Sequence, residues 1–133
     1  MQFSIYSQIN LRYKLYHQAY SGYTAPLEKT LHQRTGVATG NWGCGAFRGD
    51  VVLKFLIQLL AASATNRGGL LYHTYFNHAL TTDLFNIHSS LVQHNQTIGD
   101  VYAMMAQICT TFEKRQSVNV NSWIESITNK LNN

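Results

Sequence analysis

The run Gly36-Val-Ala-Thr-Gly-Asn-Trp-Gly-Cys-Gly-Ala-Phe-Arg-Gly-Asp50 restricts the chain more than any other feature. It sets Gly40, Gly43, Gly45 and Gly49 between a short apolar segment and a long apolar helix candidate. Glycine at Gly43 and Gly45 lets the main chain approach a ligand where a Cβ would obstruct it. Successive amide N–H groups in such a loop converge on an anion, helped by the positive end of the helix that follows. Each amide-to-anion hydrogen bond is worth roughly 1.5 to 3 kcal/mol before desolvation, so three or four hold a pyrophosphate without a lysine. The pattern reads as a backbone cradle for phosphates that needs no cation of its own.

Two common phosphate loops do not fit. A P-loop ends in Gly-Lys-Ser/Thr, but Gly45 is followed by Ala46 and Phe47, so the phosphate lysine and the magnesium hydroxyl are both missing. A dinucleotide fingerprint starting at Gly43 and Gly45 wants a third small residue at position 48, which is Arg48 here.

Apolar spacing places the loop within a fold. Ile9, Tyr13, Tyr16 and Tyr20 fall on one helical face, which predicts a helix from about Phe3 to Tyr20 with Gly22 as a left-handed stop. Thr24 to Thr35, with the single proline Pro26, reads as a loop, and Val37 to Thr39 as a short buried strand. Asp50 is placed to cap a helix from Val51 to about Thr65, with Leu53, Leu56, Ile57, Leu60, Ala61 and Ala64 on its buried face and Asn66 to Gly69 ending it. Leu70 to Phe76 reads as a strand buried on both faces, which gives a right-handed parallel strand, loop, helix, strand unit. Ligands of such sheets bind at the carboxyl ends of the strands, where both the loop and Tyr75 are expected.

Beyond Phe76 the pattern is helical. Leu80, Leu84, Ile87, Leu91 and Val92 form one stripe. A second, begun by Thr97 and ended by Lys114-Arg115, holds Ile98, Val101, Tyr102, Met105, Ile108, Cys109 and Phe112. Ser122 is placed to cap a last short helix through Leu131. The stripes are read as core, so Met104 and Met105 receive no cofactor role. The class predicted is α/β, with short parallel strands, flanking helices and a mainly helical C-terminal part.

Composition narrows function by exclusion. A 45% hydrophobic content over 133 residues speaks for a folded domain with a modest core. The two cysteines, Cys44 and Cys109, make no disulfide framework, and no signal-peptide pattern appears, so an intracellular setting is expected. The apolar run from Val51 to Ala64 includes Lys54, Gln58 and Ser63 and is too short to span a bilayer, so no membrane partner is expected. The net charge of +4 comes from ten dispersed Lys and Arg, which permits a polyanionic ligand and forms no basic tract for sequence-specific nucleic-acid binding. His73, His78, His88 and His94 complete no zinc pattern, and Cys44 has no histidine partner at an identifiable spacing. Neither a metal nor a cofactor is expected.

The string Ala38 to Asp50 resembles, nearly residue for residue, the Ala-Thr-Gly-Asn-Trp-Gly-Cys-Gly-Ala-Phe-Gly-Gly-Asp segment of the poly(ADP-ribose) glycohydrolase family, with Arg48 replacing one glycine. Upstream, His17-Gln-Ala-Tyr-Ser-Gly-Tyr23 is similar to the family's Lys-Ala-Tyr-Cys-Gly-Phe turn. Downstream, Leu53-Lys54, Ile57-Gln58 and Ala61-Ala62 match its next helix, and Leu71-Tyr-His-Thr-Tyr75 resembles its Tyr-Phe-Thr-Phe strand, where the family continues Gly-Asp and this chain Phe76-Asn77. The resemblance runs from about Ile9 to Tyr75 and leaves residues 76–133 without a motif. It implies a macrodomain-like fold whose loop holds the diphosphate of ADP-ribose through the main chain of Gly43, Cys44, Gly45, Ala46 and Phe47. Phe47 would pack on the ribose near the scissile bond and Tyr75 under adenine. Asn41 and Trp42 would brace the loop, by a side-chain amide bond and by core packing respectively. Arg48 is compatible with added charge near the diphosphate and with a side chain facing solvent.

The family's catalysis uses a Gly-Gly-Gly stretch followed by Gln-Glu-Glu, whose glutamate acts as general acid on the ribose–ribose oxygen. This chain contains neither, and its six acidic residues, Glu28, Asp50, Asp83, Asp100, Glu113 and Glu125, include no neighbouring pair. Loss of a general acid alone costs about a hundredfold to ten-thousandfold in rate. Two strands do not complete a macrodomain sheet, so the expectation is the C-terminal portion of a catalytic domain: an incomplete chain, a decayed gene, or one half completed by an upstream segment. Two readings stay open. One is a poly(ADP-ribose) glycohydrolase that releases ADP-ribose with acid machinery outside this chain, and the other is a non-catalytic ADP-ribose binder. The partners implied are poly(ADP-ribose), ADP-ribose and poly(ADP-ribosyl)ated proteins, in the nucleus, the cytoplasm or both.

Overall fold

The computed structural model describes residues 5–24, 35–42, 44 and 51–113, with side chains in 14–24, 35–42, 44 and 51–105. It divides into two compact units, Met1–His73 and Thr74–Asn133.

The first unit contains helix α1 (Ile5–Tyr23), strand β1 (Val37–Gly40), helix α2 (Val51–Ala64) and strand β2 (Leu70–His73). β1 and β2 are parallel, with Val37 opposite Leu70 and Gly40 opposite His73. Parallel neighbours need a crossover, and α2 supplies it. The helix is buried over more than one stripe: Leu56, Ile57 and Ala61 are fully buried, and Val52, Phe55, Leu60 and Ala62 nearly so. α1 packs against α2. α2 stops in a Schellman arrangement: Asn66 is left-handed at φ 50°, its N–H donates to Ser63 O, and the Arg67 N–H donates to Ala62 O at 3.0 Å. At the amino end of the sheet the Val37 N–H donates to Gly69 O at 2.8 Å, and a Cβ on Gly36 would lie only 3.3 Å from that oxygen. Glycine at position 36 permits this approach.

Four expectations are corrected here. Gly22 lies inside α1 rather than stopping it, and the core-facing residue is Ala19, while Tyr20 is exposed. Ile9 and Tyr13 belong to side chains outside the described residues, as do the loop before β1 and the Asp50 cap. β2 ends at His73, because Tyr75 and Phe76 both take positive φ, at 54° and 62°, which no strand accommodates. Nor is β2 buried on both faces: Leu70 and Tyr72 are half-buried, whereas Leu71 is 63% exposed.

The second unit contains α3 (His78–Gln93) and α4 (Ile98–Glu113). Asn77 caps α3, its Oδ1 accepting from the Leu80 N–H at 3.0 Å. Leu84, Ile87 and Leu91 are buried as the stripe predicts, but Val92 is exposed. Asn95, left-handed at φ 51°, ends α3 by the same arrangement as Asn66, with the Gln96 N–H on Leu91 O. Thr97 and Asp100 exchange hydrogen bonds as a capping box that opens α4: the Asp100 N–H donates to Thr97 Oγ1 at 3.1 Å, and the Thr97 N–H to Asp100 Oδ2 at 2.9 Å. Val101, Met104 and Met105 are core, while Ile98 is partly exposed. The side chains of Ile108, Cys109 and Phe112 and the helix expected after Ser122 lie outside the described residues. The architecture is mixed α/β, with two short parallel strands, flanking helices and a helical C-terminal part. Among the described residues no helix is long and apolar enough to cross a membrane.

Candidate functional site

The carboxyl end of β1 is fixed by one side chain of the crossover helix. Gln58 is 1% exposed, and its position on α2 aims the amide at the strand end. Its Nε2 donates to Gly40 O at 3.1 Å. Its Oε1 accepts from the Tyr23 hydroxyl at 2.8 Å and from the Thr39 hydroxyl in a short contact. Three segments, α1, β1 and α2, are thereby tied at the residue where the glycine-rich loop leaves the sheet. Burial is the larger influence on the Tyr23 phenol and pushes its pKa up, while the Thr39 hydroxyl acts in the opposite sense.

The next residue is held from the other strand. Tyr72 of β2 donates its hydroxyl to Asn41 Oδ1 at 2.9 Å, and its ring meets Phe55 of α2 edge to face, at 5.4 Å between centroids and 87° between planes. Asn41 thus braces the loop through its side-chain amide. The chain then turns sharply: the Trp42 N–H donates to Gly40 O at 2.7 Å, and the Cys44 N–H to Asn41 O at 3.0 Å. The amide of Cys44, expected to face an anion, is occupied by this turn. Its thiol lies 3.5 Å from Trp42 O. Gly43, Gly45, Ala46 and Phe47, the other members of the expected cradle, lie outside the described residues, as does Arg48.

Trp42 is not the core residue expected. It is 38% exposed, and its ring lies against the ammonium of Lys54, with Nζ 4.1 Å from the ring centroid. A partly exposed pair of this kind contributes about 1 kcal/mol, because the ring face is electron-rich. Lys54 itself is 8% exposed. Burial holds its pKa below the ordinary lysine value, and the charge of a Cys44 thiolate acts in the opposite sense. Among the described residues no carboxylate pairs with it. A cation therefore stands beside a loop whose sequence was read as needing none.

Beside the turn is a cavity of about 270 Å³ lined by Ala19, Gly22 and Tyr23 of α1 with Thr39, Trp42 and Gln58. Tyr75 belongs to the second unit, in a turn closed by the Asn77 N–H on Thr74 O at 3.1 Å. Its ring is 73% exposed, and Phe76 beside it is 97% exposed. Each positive φ on a side chain of this size costs on the order of 1 kcal/mol. Among the described residues no group of three or more His, Cys, Asp or Glu is placed to hold a metal ion.

The resemblance singled out Asn41, Cys44 and Tyr75, and the reading gave no site role to Gln58, Lys54, Tyr23, Thr39 and Tyr72. One signal was available: Lys54 and Gln58 interrupt an otherwise apolar helix at i, i+4, the spacing that puts two side chains on one face.

Comparison with known proteins bears on the same region. A family model described as poly(ADP-ribose) glycohydrolase, macro domain fold, matches residues 3–82. The chain is 40% identical over 103 residues to poly(ADP-ribose) glycohydrolase 1 of Arabidopsis thaliana, covering 77% of this chain and 19% of that protein. It is 33% identical over 93 residues to the probable poly(ADP-ribose) glycohydrolase 2 of the same plant, covering 69% and 18%. To poly(ADP-ribose) glycohydrolase 1 of Caenorhabditis elegans it is 36% identical over 69 residues, covering 52% and 9%. The chain spans about a fifth or less of the length of these relatives.

Proposed function

The chain belongs to the poly(ADP-ribose) glycohydrolase family, and from that premise we propose that it supplies the diphosphate-binding part of a site for ADP-ribose units of poly(ADP-ribose). The observation that carries this reading is the locked end of β1. Gln58 and Tyr72 fix Gly40 and Asn41 from two sides, so the glycine-rich segment leaves the sheet in one orientation. A loop that binds an anion through its main chain gains affinity when its backbone is set before the ligand arrives. The recognising groups are the amides of Gly43, Gly45, Ala46 and Phe47. Cys44 joins them only if its bond to Asn41 O opens. Phe47 packs on the ribose in this reading; the ring of Tyr75, 73% exposed, is offered to solvent, and an aromatic of this kind stacks on a base with about 1 to 3 kcal/mol.

Poly(ADP-ribose) glycohydrolase activity, the activity in the names of the relatives, needs a general acid beside the scissile glycosidic oxygen. The acidic residues of this chain include no adjacent pair of the kind the family uses. The chain is therefore assigned binding and positioning of the ADP-ribose unit, within a glycohydrolase whose acid lies outside it; the second reading, an ADP-ribose binder without catalysis, is favoured by the same absence. The two share a test of binding and differ in a test of turnover. Titration of the purified chain with ADP-ribose by calorimetry is expected to give saturable heat. Gly45→Val is expected to abolish it while leaving the far-ultraviolet circular dichroism intact, because the side chain occupies phosphate space. No heat at millimolar ADP-ribose, or unchanged affinity in Gly45→Val, would contradict the reading. Release of ADP-ribose from poly(ADP-ribose) by the chain alone would show that it carries its own acid.

A further inference from the structure

The turn that joins β2 to α3 sets two large aromatic side chains in a backbone conformation that suits glycine. Tyr75 and Phe76 take φ 54° and 62°, and their rings are 73% and 97% exposed. A Cβ in the left-handed region crowds the following carbonyl, a cost that glycine at either position would not carry. Rings this exposed recover little of that cost by burial. The turn is nonetheless held firmly against the start of α3. The Asn77 N–H donates to Thr74 O at 3.1 Å, the Thr81 N–H donates to Asn77 O at 3.0 Å, and the Thr74 and Thr81 hydroxyls meet at 2.7 Å. Strained residues that persist in a fixed segment concentrate at ligand sites. Thr74, Asn77 and His78 flank the rings with polar groups, which suits a small flat ligand better than an apolar patch through which proteins associate would.

We propose that Phe76 is a base-stacking residue, which together with Tyr75 presents two aromatic rings to an adenine base of a bound ADP-ribose unit. The proposal rests on the ADP-ribose reading above and extends it to a position where the resembling family carries glycine. An aromatic ring offers a nucleobase its whole face. A ring whose backbone is fixed beforehand loses little freedom when the base arrives. The strain at Phe76 is thus the cost of holding a second ring in place, and removing the ring is expected to relax the turn and weaken the ligand together.

The test uses the full chain and two probes, ADP-ribose and adenosine. Phe76→Gly removes the ring and the strain together, Phe76→Leu keeps apolar bulk without an aromatic face, and Phe76→Trp keeps the face. By calorimetry, ADP-ribose affinity is expected to fall about 5-fold to 150-fold in Phe76→Gly and Phe76→Leu, that is, about 1 to 3 kcal/mol at about 1.4 kcal/mol per factor of ten, and to be kept in Phe76→Trp. The urea midpoint of Phe76→Gly is expected to equal or exceed that of the wild type, because relief of the left-handed strain outweighs the added freedom of the unfolded chain. With phenylalanine rings labelled, the resonance that disappears in Phe76→Leu is expected to shift when millimolar adenosine is added to the wild-type chain. If the wild type binds ADP-ribose and either Phe76→Gly or Phe76→Leu binds it within about twofold, the proposal is overturned and the ADP-ribose reading stands. A urea midpoint of Phe76→Gly well below that of the wild type would place the ring in the packing of the fold and overturn the proposal as well. If the wild type binds no ADP-ribose, the reading fails, and the adenosine shift alone decides: its presence supports a base site at Phe76 and its absence overturns one.

Discussion

Gln58, in the second turn of α2, has its carbonyl oxygen shared between two hydroxyls and its amide nitrogen on Gly40 O, whereas Lys54, one turn earlier on the same face, has the ring of Trp42 against its ammonium and no hydrogen-bond acceptor among the described residues. Both are more than nine-tenths buried. The difference lies in satisfaction. A buried polar group whose bonds are all made stabilises the fold and specifies one arrangement of it. One held mainly by the face of an aromatic ring keeps part of its desolvation cost, as the lowered pKa of Lys54 shows. The second turn of α2 is thus a structural knot, and the first turn ends on a cation packed against Trp42.

The largest effect that would break this contrast is at the knot. Gln58→Leu keeps the volume and removes the amide, which leaves the Tyr23 and Thr39 hydroxyls without their acceptor and removes one donor from Gly40 O. Each buried group left unpaired costs about 1 to 3 kcal/mol, and the Trp42 N–H still serves Gly40 O, so the expected loss is about 3 kcal/mol in urea unfolding of the full chain. A loss under about 1 kcal/mol would show that water replaces the amide and that the knot does not hold the strand end.

A smaller effect is expected one residue further along. The Tyr72 hydroxyl on Asn41 Oδ1 ties the loop to β2, and a double-mutant cycle of Tyr72→Phe and Asn41→Ala should give a coupling of about 1 kcal/mol. Additive effects would mean that Asn41 acts on the loop only through its own backbone. If the brace prepares the loop for ligand, Tyr72→Phe also weakens ADP-ribose while the unit stays folded, and the contrast sharpens: bonds at this end of the sheet serve position as well as stability.

What the sequence disclosed and what it concealed follow from the kind of interaction involved. The order of elements was legible because apolar spacing and Asn or Gly punctuation are local: the stop of α2 at Asn66 and the Thr97 start of α4 stand as read, and of the α2 face Leu56, Ile57, Leu60 and Ala61 are buried while Leu53 and Ala64 are half-buried. The end of β2 was not, because Leu70 to Phe76 is uniformly β-rich, and nothing in the composition announces that Tyr75 and Phe76 take positive φ. The resemblance contained the clue in retrospect, since the family's glycine stands at position 76, where such a φ carries no penalty. Asn41 was found by analogy, but its partner Tyr72 is 31 residues away. Trp42 was misread as core because a tryptophan beside a buried helix usually is, and only the three-dimensional path of Lys54 shows its ring serving as the floor under a charge.

The smallest expected effect is also the one that separates the two turns by sign. Lys54 has a folded-state pKa below the ordinary 10.5, for which burial is the main cause. Between those two values the unfolded chain binds more protons than the folded one, so the contribution of Lys54 to stability rises as pH rises from the folded value towards 10.5 and is least favourable below both. Lys54→Met removes the titrating group, so the stability difference, wild type minus variant, should climb across that alkaline range. Near pH 7 the variant should be about as stable as the wild type or slightly more so, the gain from removing a desolvated charge being offset by the lost contact with Trp42. The pair of urea series is therefore expected to show opposite behaviour on one helix face: a large loss for Gln58→Leu, and little or none for Lys54→Met. A Lys54→Met loss as large as that of Gln58→Leu would place the lysine with the structural knot.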